Sequence, residues 1–262
     1  GVQWLQEFFT LVNPNDVHGI AVHIYMNAAK SMIGDLQRYK VFGKPLWLTE
    51  FCAWDGTSSS AAQCQFMAQS INYLEQDDDL ERYAWFIPRW NQATESAPFM
   101  QLITKAKPYE LTERGILFVN MSTFDKNAVY PCGKRIPAEH YRACSIDDSY
   151  ASPVVSICTD VNGILQIDGL ALNQWMDYKI NILSGVKDFQ IRYTATRDSE
   201  ITIYKVDENG NETALQTIAL PSTASKTAWT TLTESFTPEA GEQVLRLKCT
   251  KGLPRINWFK LK

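Results

Sequence analysis

A single carboxylate, Glu50, stands near the end of the apolar stretch KPLWLTEF (residues 44–51). Leu46, Trp47 and Leu48 predict a buried strand, and Glu50 falls where this strand should give way to a loop rich in Gly and Ser. Active sites of parallel α/β folds gather at the carboxyl ends of their strands. A carboxylate in this place can serve as the nucleophile of a retaining glycosidase.

Side chains suited to such a site end the neighbouring predicted strands. His23 and Tyr25 lie in VHIYM, and Trp85 lies in YAWF. If the three strands are parallel neighbours, these side chains share one cleft with Glu50. A Tyr hydroxyl can keep a carboxylate ionised and oriented, and a Trp ring can pack against a sugar ring.

Two further tryptophans are substrate-binding candidates: Trp54 follows the second predicted strand, and Trp90 ends the third. Each candidate also has a structural interpretation. Glu50 alone is more often an ion-pair partner, His23 a core histidine and Trp85 a packing residue. Their occurrence together at successive strand ends favours a site.

The elements that would position these residues alternate between helix and strand. Helical spacing of apolar residues runs from Trp4 to Val12, and the later predicted elements are the strand at 18–26, the helix at 28–39, the strand at 44–51, the helix at 60–74 and the strand at 82–90. This βαβ rhythm predicts a parallel sheet, and the nearly apolar strands predict a sheet covered on both faces. In the connector that follows, ILFVNM (116–121) has a strand-like pattern.

Beyond residue 127 the pattern changes to short alternating segments separated by Gly, Asn, Asp and Pro. The predicted strands are VVSICTD, GILQI, WMDYKINIL, DFQIRYTAT, EITIYKV, ALQTIAL, WTTLTESF, QVLRLKCT and INWFKLK. Many short strands at near-regular spacing are typical of an antiparallel β-sandwich of the jelly-roll kind.

The composition limits the classes of molecule that the protein is expected to bind. The net charge is −4 and there is no Lys/Arg cluster, which argues against nucleic acid and anionic membranes. No apolar run approaches the roughly 20 residues of a membrane span. The aromatic content of 12% suits sugar ligands. Because the chain begins without Met or a signal sequence, we expect it to be processed, trimmed or incomplete at its N-terminus.

None of the six cysteines forms a C-x-x-C pair, so zinc and dithiol chemistry lack their usual signature. Disulfides in a secreted or periplasmic protein and buried free thiols both remain open, with a bridge between Cys52 and Cys64 as one hypothesis. The sequons at Asn120 and Asn211 do not decide the compartment.

Three segments carry a family resemblance: HGIAVHIYM, GKPLWLTEFCAWDG and AAQCQFMAQSINYLEQDDDLERYAWFIPRW. They resemble the closing part of the catalytic core of glycoside hydrolase family 128, whose members are (β/α)8 retaining glycosidases that cleave β-1,3-glucan internally. The resemblance implies that Glu50 is the nucleophile on the seventh strand. It implies that Tyr25 is the sixth-strand tyrosine that contacts it, and that Trp85 is the eighth-strand tryptophan beneath the sugar.

The departure from that family is large. A (β/α)8 barrel needs about 250 residues and eight strands, whereas residues 1–108 supply three predicted strands. No position matches the family's acid/base glutamate. Either the other strands and that glutamate lie outside this sequence, on a longer chain or a second fragment, or the domain binds without cleaving. We favour the first alternative, because a bare three-stranded piece would expose two edges and half of its core.

The later segments RIPAEHYRA, WMDYKINI, DFQIRYTAT, EAGEQVLRL and INWFKLK resemble carbohydrate-binding module family 6, a β-sandwich that commonly holds a structural calcium. The resemblance implies calcium ligands at Glu139 and Asn257, although Asn257 stands where the family often has Asp. The family's sugar cleft would fall near Gly169, Lys226 and Arg255, none of which can play the original part. A sandwich that only braces the catalytic domain is therefore a second interpretation.

These observations predict an α/β domain formed by the last strands of a (β/α)8 TIM-type barrel (residues 1–108), a connector (109–129) and a family 6-like antiparallel β-sandwich (130–262). We expect a secreted, periplasmic or cell-surface glycoside hydrolase of the endo-β-1,3-glucanase kind that binds β-glucan and needs no catalytic cofactor. A non-catalytic carbohydrate-binding or scaffold protein is the alternative. A glycosidase of the same clan that acts on another β-linked polysaccharide is a third.

Overall fold

A computed structural model describes residues 1–54, 59–90, 96, 99–122, 127–146, 152–161 and 163–262, with the backbone alone at position 122. The Gly- and Ser-rich loop predicted after Glu50 falls partly on residues 55–58, which lie outside the described residues. The chain divides into two compact units, Gly1–Phe118 and Val119–Lys262. The division falls within the predicted connector.

The first unit alternates helices and strands as predicted. Its elements are α1 (Val2–Leu11), β1 (Ile20–Ile24), α2 (Ala29–Gln37), β2 (Leu46–Phe51), α3 (Ser60–Leu74), β3 (Leu80–Trp85) and α4 (Glu113–Ser122), which runs four residues past the boundary. Ser59 caps α3, because its hydroxyl accepts a hydrogen bond from the backbone N–H of Ala62. The βαβ prediction is confirmed: β1, β2 and β3 form a parallel sheet in that order.

The sheet is buried on one face. In β1, Ile20, Val22 and Ile24 are buried while Ala21 and His23 are exposed. Helix α2 contacts β1 and α3. The prediction that both faces are covered was therefore wrong for this sheet, since strand side chains alternate between faces and one face is open.

The predicted strand ILFVNM is instead part of helix α4. A short apolar run fits a strand and a buried helix equally well, so local start signals decide. Thr112 provides one, because its hydroxyl accepts a hydrogen bond from the backbone N–H of Gly115. Leu117 and Met121, one helical turn apart, are both buried.

The second unit is a β-sandwich whose main strands are those predicted. They are β4 (Tyr130–Pro131), β5 (Ile136–Pro137), β6 (Ala143–Cys144), β7 (Val155–Ile157), β8 (Leu165–Ile167), β9 (Trp175–Ile182), β10 (Asp188–Thr194), β11 (Ser199–Val206), β12 (Glu212–Leu220), β13 (Thr230–Ser235), β14 (Gly241–Lys251) and β15 (Arg255–Leu261). The two-residue strands β4, β5 and β6 were not predicted, because so short a segment has no visible period.

The sandwich has two sheets, and their pairings are antiparallel except that of β4 with β9. One runs β13-β10-β15-β8-β7, with β5 also pairing β15, and the other runs β12-β11-β14-β9-β4, with β6 also pairing β9. Alternate residues of the long strands are buried, for example Tyr178 and Ile180 in β9 and Leu245 and Leu247 in β14. This period of two gives each sheet one apolar face, which the sandwich encloses. No helix within the described ranges is long and apolar enough to cross a membrane.

Candidate active site

Parallel pairing brings His23 and Glu50 together. The register aligns His23 of β1 with Glu50 of β2, after a register shift between Val22 and His23. The Tyr25 hydroxyl donates a hydrogen bond to Glu50 Oε2. His23 Nδ1 lies 3.4 Å from the same oxygen. Two candidates chosen from the sequence, Tyr25 and His23, therefore contact the carboxylate of the third, Glu50. The Glu50 side chain remains about one-third exposed.

Tyr25 and Cys52 keep their protons at neutral pH, because the pKa of each is raised. Burial, the hydrogen bond to Glu50 and the charge of Glu50 together raise the pKa of Tyr25 well above its usual value of 10. Burial and the charge of Glu50 raise the pKa of the Cys52 thiol to about 12. Tyr25 is thus a lasting hydrogen-bond donor, and the Cys52 thiol is a poor nucleophile at neutral pH.

Four aromatic rings line the space next to the carboxylate, and we call them the aromatic wall: Tyr25, Trp54, Phe86 and Trp90. The ring centroids of Tyr25 lie 5.7 Å from Trp54 and 5.5 Å from Phe86. Trp54 lies 5.9 Å from Phe86 and 6.3 Å from Trp90. Trp54 is 47% exposed. Its indole face is therefore available for a sugar ring.

Trp85 takes a different place from the one expected. It is 5% exposed and its indole N–H donates to the carbonyl of Met100 over 2.7 Å. Its ring packs 5.1 Å from Phe51 and 6.1 Å from Phe66. Trp85 lies in the core beneath the sheet, where no sugar can reach its ring.

Phe86 is the site residue that sequence reasoning missed. Consecutive strand residues point to opposite faces. A buried Trp85 at the end of β3 therefore places Phe86 on the side of Tyr25, and this parity was the signal that could have found it.

Among the described residues, the side-chain hydrogen bonds and ion pairs of Glu50 go to Tyr25 and His23. Neither is a carboxyl group, whereas retaining hydrolysis uses two of them about 5–5.5 Å apart. All six cysteines are free thiols, so the hypothesised bridge between Cys52 and Cys64 is absent. Cys64 Sγ instead lies 4.0 Å from a carboxylate oxygen of Glu113.

Of the two residues expected to bind calcium, Glu139 has an unpartnered carboxylate oxygen, whereas Asn257 is joined to an ion pair. Glu139 is 8% exposed and its Oε2 has no hydrogen-bond partner in the described structure. The side-chain amide of Asn257 donates to Asp160 Oδ2 over 2.8 Å. Asp160 is also held by two hydrogen bonds from Arg192, of 2.7 and 2.8 Å. Those hydrogen bonds lower the pKa of Asp160.

Calcium takes six to eight oxygens, many of them charged. In the part of the chain that the structure describes, no group of three or more His, Cys, Asp or Glu side chains could hold a metal. Arg192 supplies the positive charge that Asp160 requires. The residues present therefore do not fit a structural calcium.

The family's sugar cleft is also altered. Arg255 donates a hydrogen bond to Asp168, and its side chain is only 11% exposed. Gly169 faces the side chain of Leu253, and Lys226 is exposed. An ion pair between Arg255 and Asp168 thus lies where the resemblance predicts the sugar cleft.

Comparison with known families fits this division. Residues 1–118 match the family model described as "Glycosyl hydrolase catalytic core". Residues 139–262 match the model described as "Carbohydrate binding module (family 6)". One segment of the chain is therefore similar to a glycosyl hydrolase core, and the other is similar to a family 6 module.

One curated relative is "Alkali-sensitive linkage protein 1" of Schizosaccharomyces pombe, which is 28% identical over 92 residues. The match covers 34% of this chain and 17% of that protein, so this chain spans about a sixth of the relative.

Solved structures similar to the chain include a β-1,3-glucan binding family 6 module from Bacillus halodurans (20% identity, TM-score 0.45, 52% of this chain and 99% of that chain). Another is a family 6 module from Clostridium cellulolyticum in complex with xylose (20% identity, TM-score 0.42, 50% and 98%).

Proposed function

We propose that the protein is a retaining glycoside hydrolase in which Glu50 is the nucleophile. The observation that carries this proposal is the placement of Glu50 at the end of β2. There a Tyr25 hydroxyl and the His23 ring meet the same carboxylate oxygen, beside the aromatic wall, in which Tyr25 and Trp54 are exposed. The match of residues 1–118 to a glycosyl hydrolase core supports it.

Each side chain then has a chemical task. Trp54 and Phe86 hold the sugar by stacking against its C–H face. Glu50 attacks the anomeric carbon and forms a glycosyl-enzyme intermediate, which water later hydrolyses. Tyr25 orients the Glu50 carboxylate through a hydrogen bond. Because its raised pKa keeps the proton on the Tyr25 hydroxyl, Tyr25 remains the donor of that hydrogen bond. The His23 ring makes a second contact with the same oxygen, at 3.4 Å.

The second carboxyl group has to protonate the leaving oxygen and then activate water. We propose that it comes from further strands of a (β/α)8 barrel, of which β1, β2 and β3 are the last three. The open sheet face that carries Ala21 and His23 supports this, because in a closed barrel that face would point to the interior. Those strands would belong to a longer chain or to a second polypeptide.

The proposed substrate is β-1,3-glucan, on the basis of the resemblance of the strand segments to family 128. A secreted, periplasmic or cell-surface location follows from a polysaccharide substrate. The sandwich would hold the enzyme on its polymer. Its match to a family 6 module favours sugar binding, whereas the ion pair between Arg255 and Asp168 at the predicted sugar cleft argues against it.

A second candidate function is carbohydrate binding without cleavage. It is favoured by the contacts of Glu50, which include no second carboxyl group among the described residues. The two candidates differ in whether any preparation of the protein turns over substrate.

The test is hydrolysis of laminarin, xylan and mannan by the protein purified from its natural source. The Glu50→Gln change is introduced in that same source and compared there with Glu7→Gln, which changes another glutamate of the same unit. We expect laminarin products from the wild type and from Glu7→Gln. Glu50→Gln should lose at least about 10³-fold in turnover while it still binds glucan.

Products from xylan or mannan alone would overturn the β-1,3 assignment. Equal turnover by Glu50→Gln and the wild type would overturn the nucleophile. Binding of laminarin without turnover by any preparation would favour the second candidate.

A further inference from the structure

Two sequons in the chain lie in very different structural settings. Asn120 belongs to Asn120-Met-Ser and sits in the last turn of helix α4, where it is half-buried. Asn211 belongs to Asn211-Glu-Thr and sits in the hairpin turn between β11 and β12. All three residues of the second sequon are exposed. An N-linked glycan is bulky and hydrophilic, so it fits the second setting and not the first.

The hairpin turn presents Asn211 in a fixed geometry. The Asp207 carboxylate accepts hydrogen bonds from the backbone N–H groups of Asn209 and Asn211, at 2.9 and 2.8 Å. Its second oxygen accepts the side-chain amide of Asn211 at 2.8 Å. Gly210 has the positive φ of 82° that the turn requires. An amide with a sugar on its nitrogen keeps one N–H, so it can still donate to Asp207.

The neighbouring strand gives such a glycan a physical use. β12 ends its sheet, because the order of that sheet begins β12-β11-β14. Its first four residues are exposed, and so are Thr217 and Ala219. An exposed, nine-residue edge strand invites pairing with another chain, and proteins protect such edges with charge or with a cover. Glu212 is the one charged residue that β12 carries.

We propose that Asn211 is an N-glycosylation site and that its glycan shields the β12 edge. The inference rests on the secreted or cell-surface location that accompanies the proposed function. In the reaction, the Asn211 amide nitrogen forms a bond to the anomeric carbon of an oligosaccharide carried on a polyprenyl diphosphate. The bond from that carbon to the diphosphate oxygen breaks, the polyprenyl diphosphate leaves with the electron pair of that bond, and the amide nitrogen releases one proton to solvent. A transferase of the cell that makes the protein catalyses this step.

The experiment expresses the whole chain in yeast with a secretion leader and measures glycosylation in total cell extract, so that a variant that fails to leave the cell is still scored. The variants are N211Q, N120Q, T213A and T213S. T213S is the matched control, because it changes the same residue and keeps the sequon. Peptide masses are measured by mass spectrometry after treatment with an amidase, which removes the glycan and converts the modified Asn to Asp.

We expect one glycan on the wild type, N120Q and T213S, and none on N211Q and T213A. We also expect deglycosylated protein to self-associate more than the glycosylated form in sedimentation. A wild type without glycan, or one modified at Asn120 alone, would overturn the site. Equal sedimentation of the two forms would overturn the shielding role. Because the readout is mass and needs no turnover, it stays informative if the hydrolase proposal fails.

Discussion

At the scale of residues, the central feature is that two side chains meet one carboxylate oxygen of Glu50. A hydrogen bond to a charged group contributes about 1.5–3 kcal/mol. The Tyr25 contact is therefore strong enough to fix how the carboxylate faces an incoming sugar. His23, which is half exposed, adds a second contact at 3.4 Å.

Tyr25→Phe should lower the turnover of a glucan-hydrolysing preparation by about 10- to 100-fold, because it removes one hydrogen bond to the carboxylate. KM should change little, since the ring that lines the aromatic wall remains. The measurement is steady-state kinetics on laminarin. A rise in KM with unchanged kcat would show that Tyr25 binds substrate and does not orient Glu50.

Substitutions of Trp54 and Trp85 should separate an effect on glucan binding from an effect on stability. Trp54→Ala should weaken glucan binding with little change in Tm, because its ring is half exposed. Trp85→Ala should destabilise the protein by about 3–5 kcal/mol, because it empties a buried site. Affinity gels and thermal unfolding check both changes. Loss of binding by a folded Trp85→Phe variant would return Trp85 to the site.

At the scale of elements, the sequence predicted most strands and helices, because their apolar periods are long and their ends are marked. Helix α3 follows its Ser cap, and the long sandwich strands alternate clearly. Helix α4 was missed because ILFV fits either period. The burial of Trp85 was not predicted, because it depends on which alternate residues of β3 point into the core.

Side-chain contacts between strands of the sandwich could not be predicted from the sequence. The pair between Asp160 and Arg192 joins a loop to β10, and Asn257 reaches it from β15. Only the sheet order brings these segments together. The family resemblance predicted calcium at this place, because a resemblance transfers ligand positions and not the side chains that have replaced them.

Asp160→Asn should destabilise the second unit by about 2–3 kcal/mol, because it leaves Arg192 without its carboxylate. Since the pKa of Asp160 is lowered in the folded protein, its contribution is present above the unfolded pKa. It is lost as the pH falls through the folded value. Thermal unfolding from pH 2 to 7 checks this. Calcium and chelator should leave the wild-type Tm unchanged, and a rise in Tm with calcium would contradict the account.

Glu139→Gln gives an independent test of the same site. Burial raises the pKa of Glu139 to about 7. The stability tied to its neutral form is therefore complete below the unfolded pKa and is lost as the pH rises to about 7. The variant should match the wild type near pH 4 and exceed its stability at pH 8, by about 3 kcal/mol. Destabilisation of the variant at pH 8 in the presence of calcium would show that Glu139 binds the ion.

At the scale of the whole molecule, each unit has its own buried core. One unit carries the candidate nucleophile and the other matches a binding module. The two sheets of the sandwich pack face to face, whereas one face of the parallel sheet in the first unit is exposed. The proposed hydrolase therefore depends on strands from elsewhere for its acid/base group, and on this chain for its nucleophile and its sugar platform.

The most direct test of that account is covalent labelling by a β-1,3-linked 2-deoxy-2-fluoro glucoside with a dinitrophenolate leaving group. The leaving group needs no general acid, so the label tests Glu50 without the second carboxyl group. Peptide mass spectrometry should find one glycosyl adduct on Glu50, and none in Glu50→Gln. An adduct on another residue, or an unlabelled protein that still hydrolyses laminarin, would contradict the assignment of Glu50 as the nucleophile.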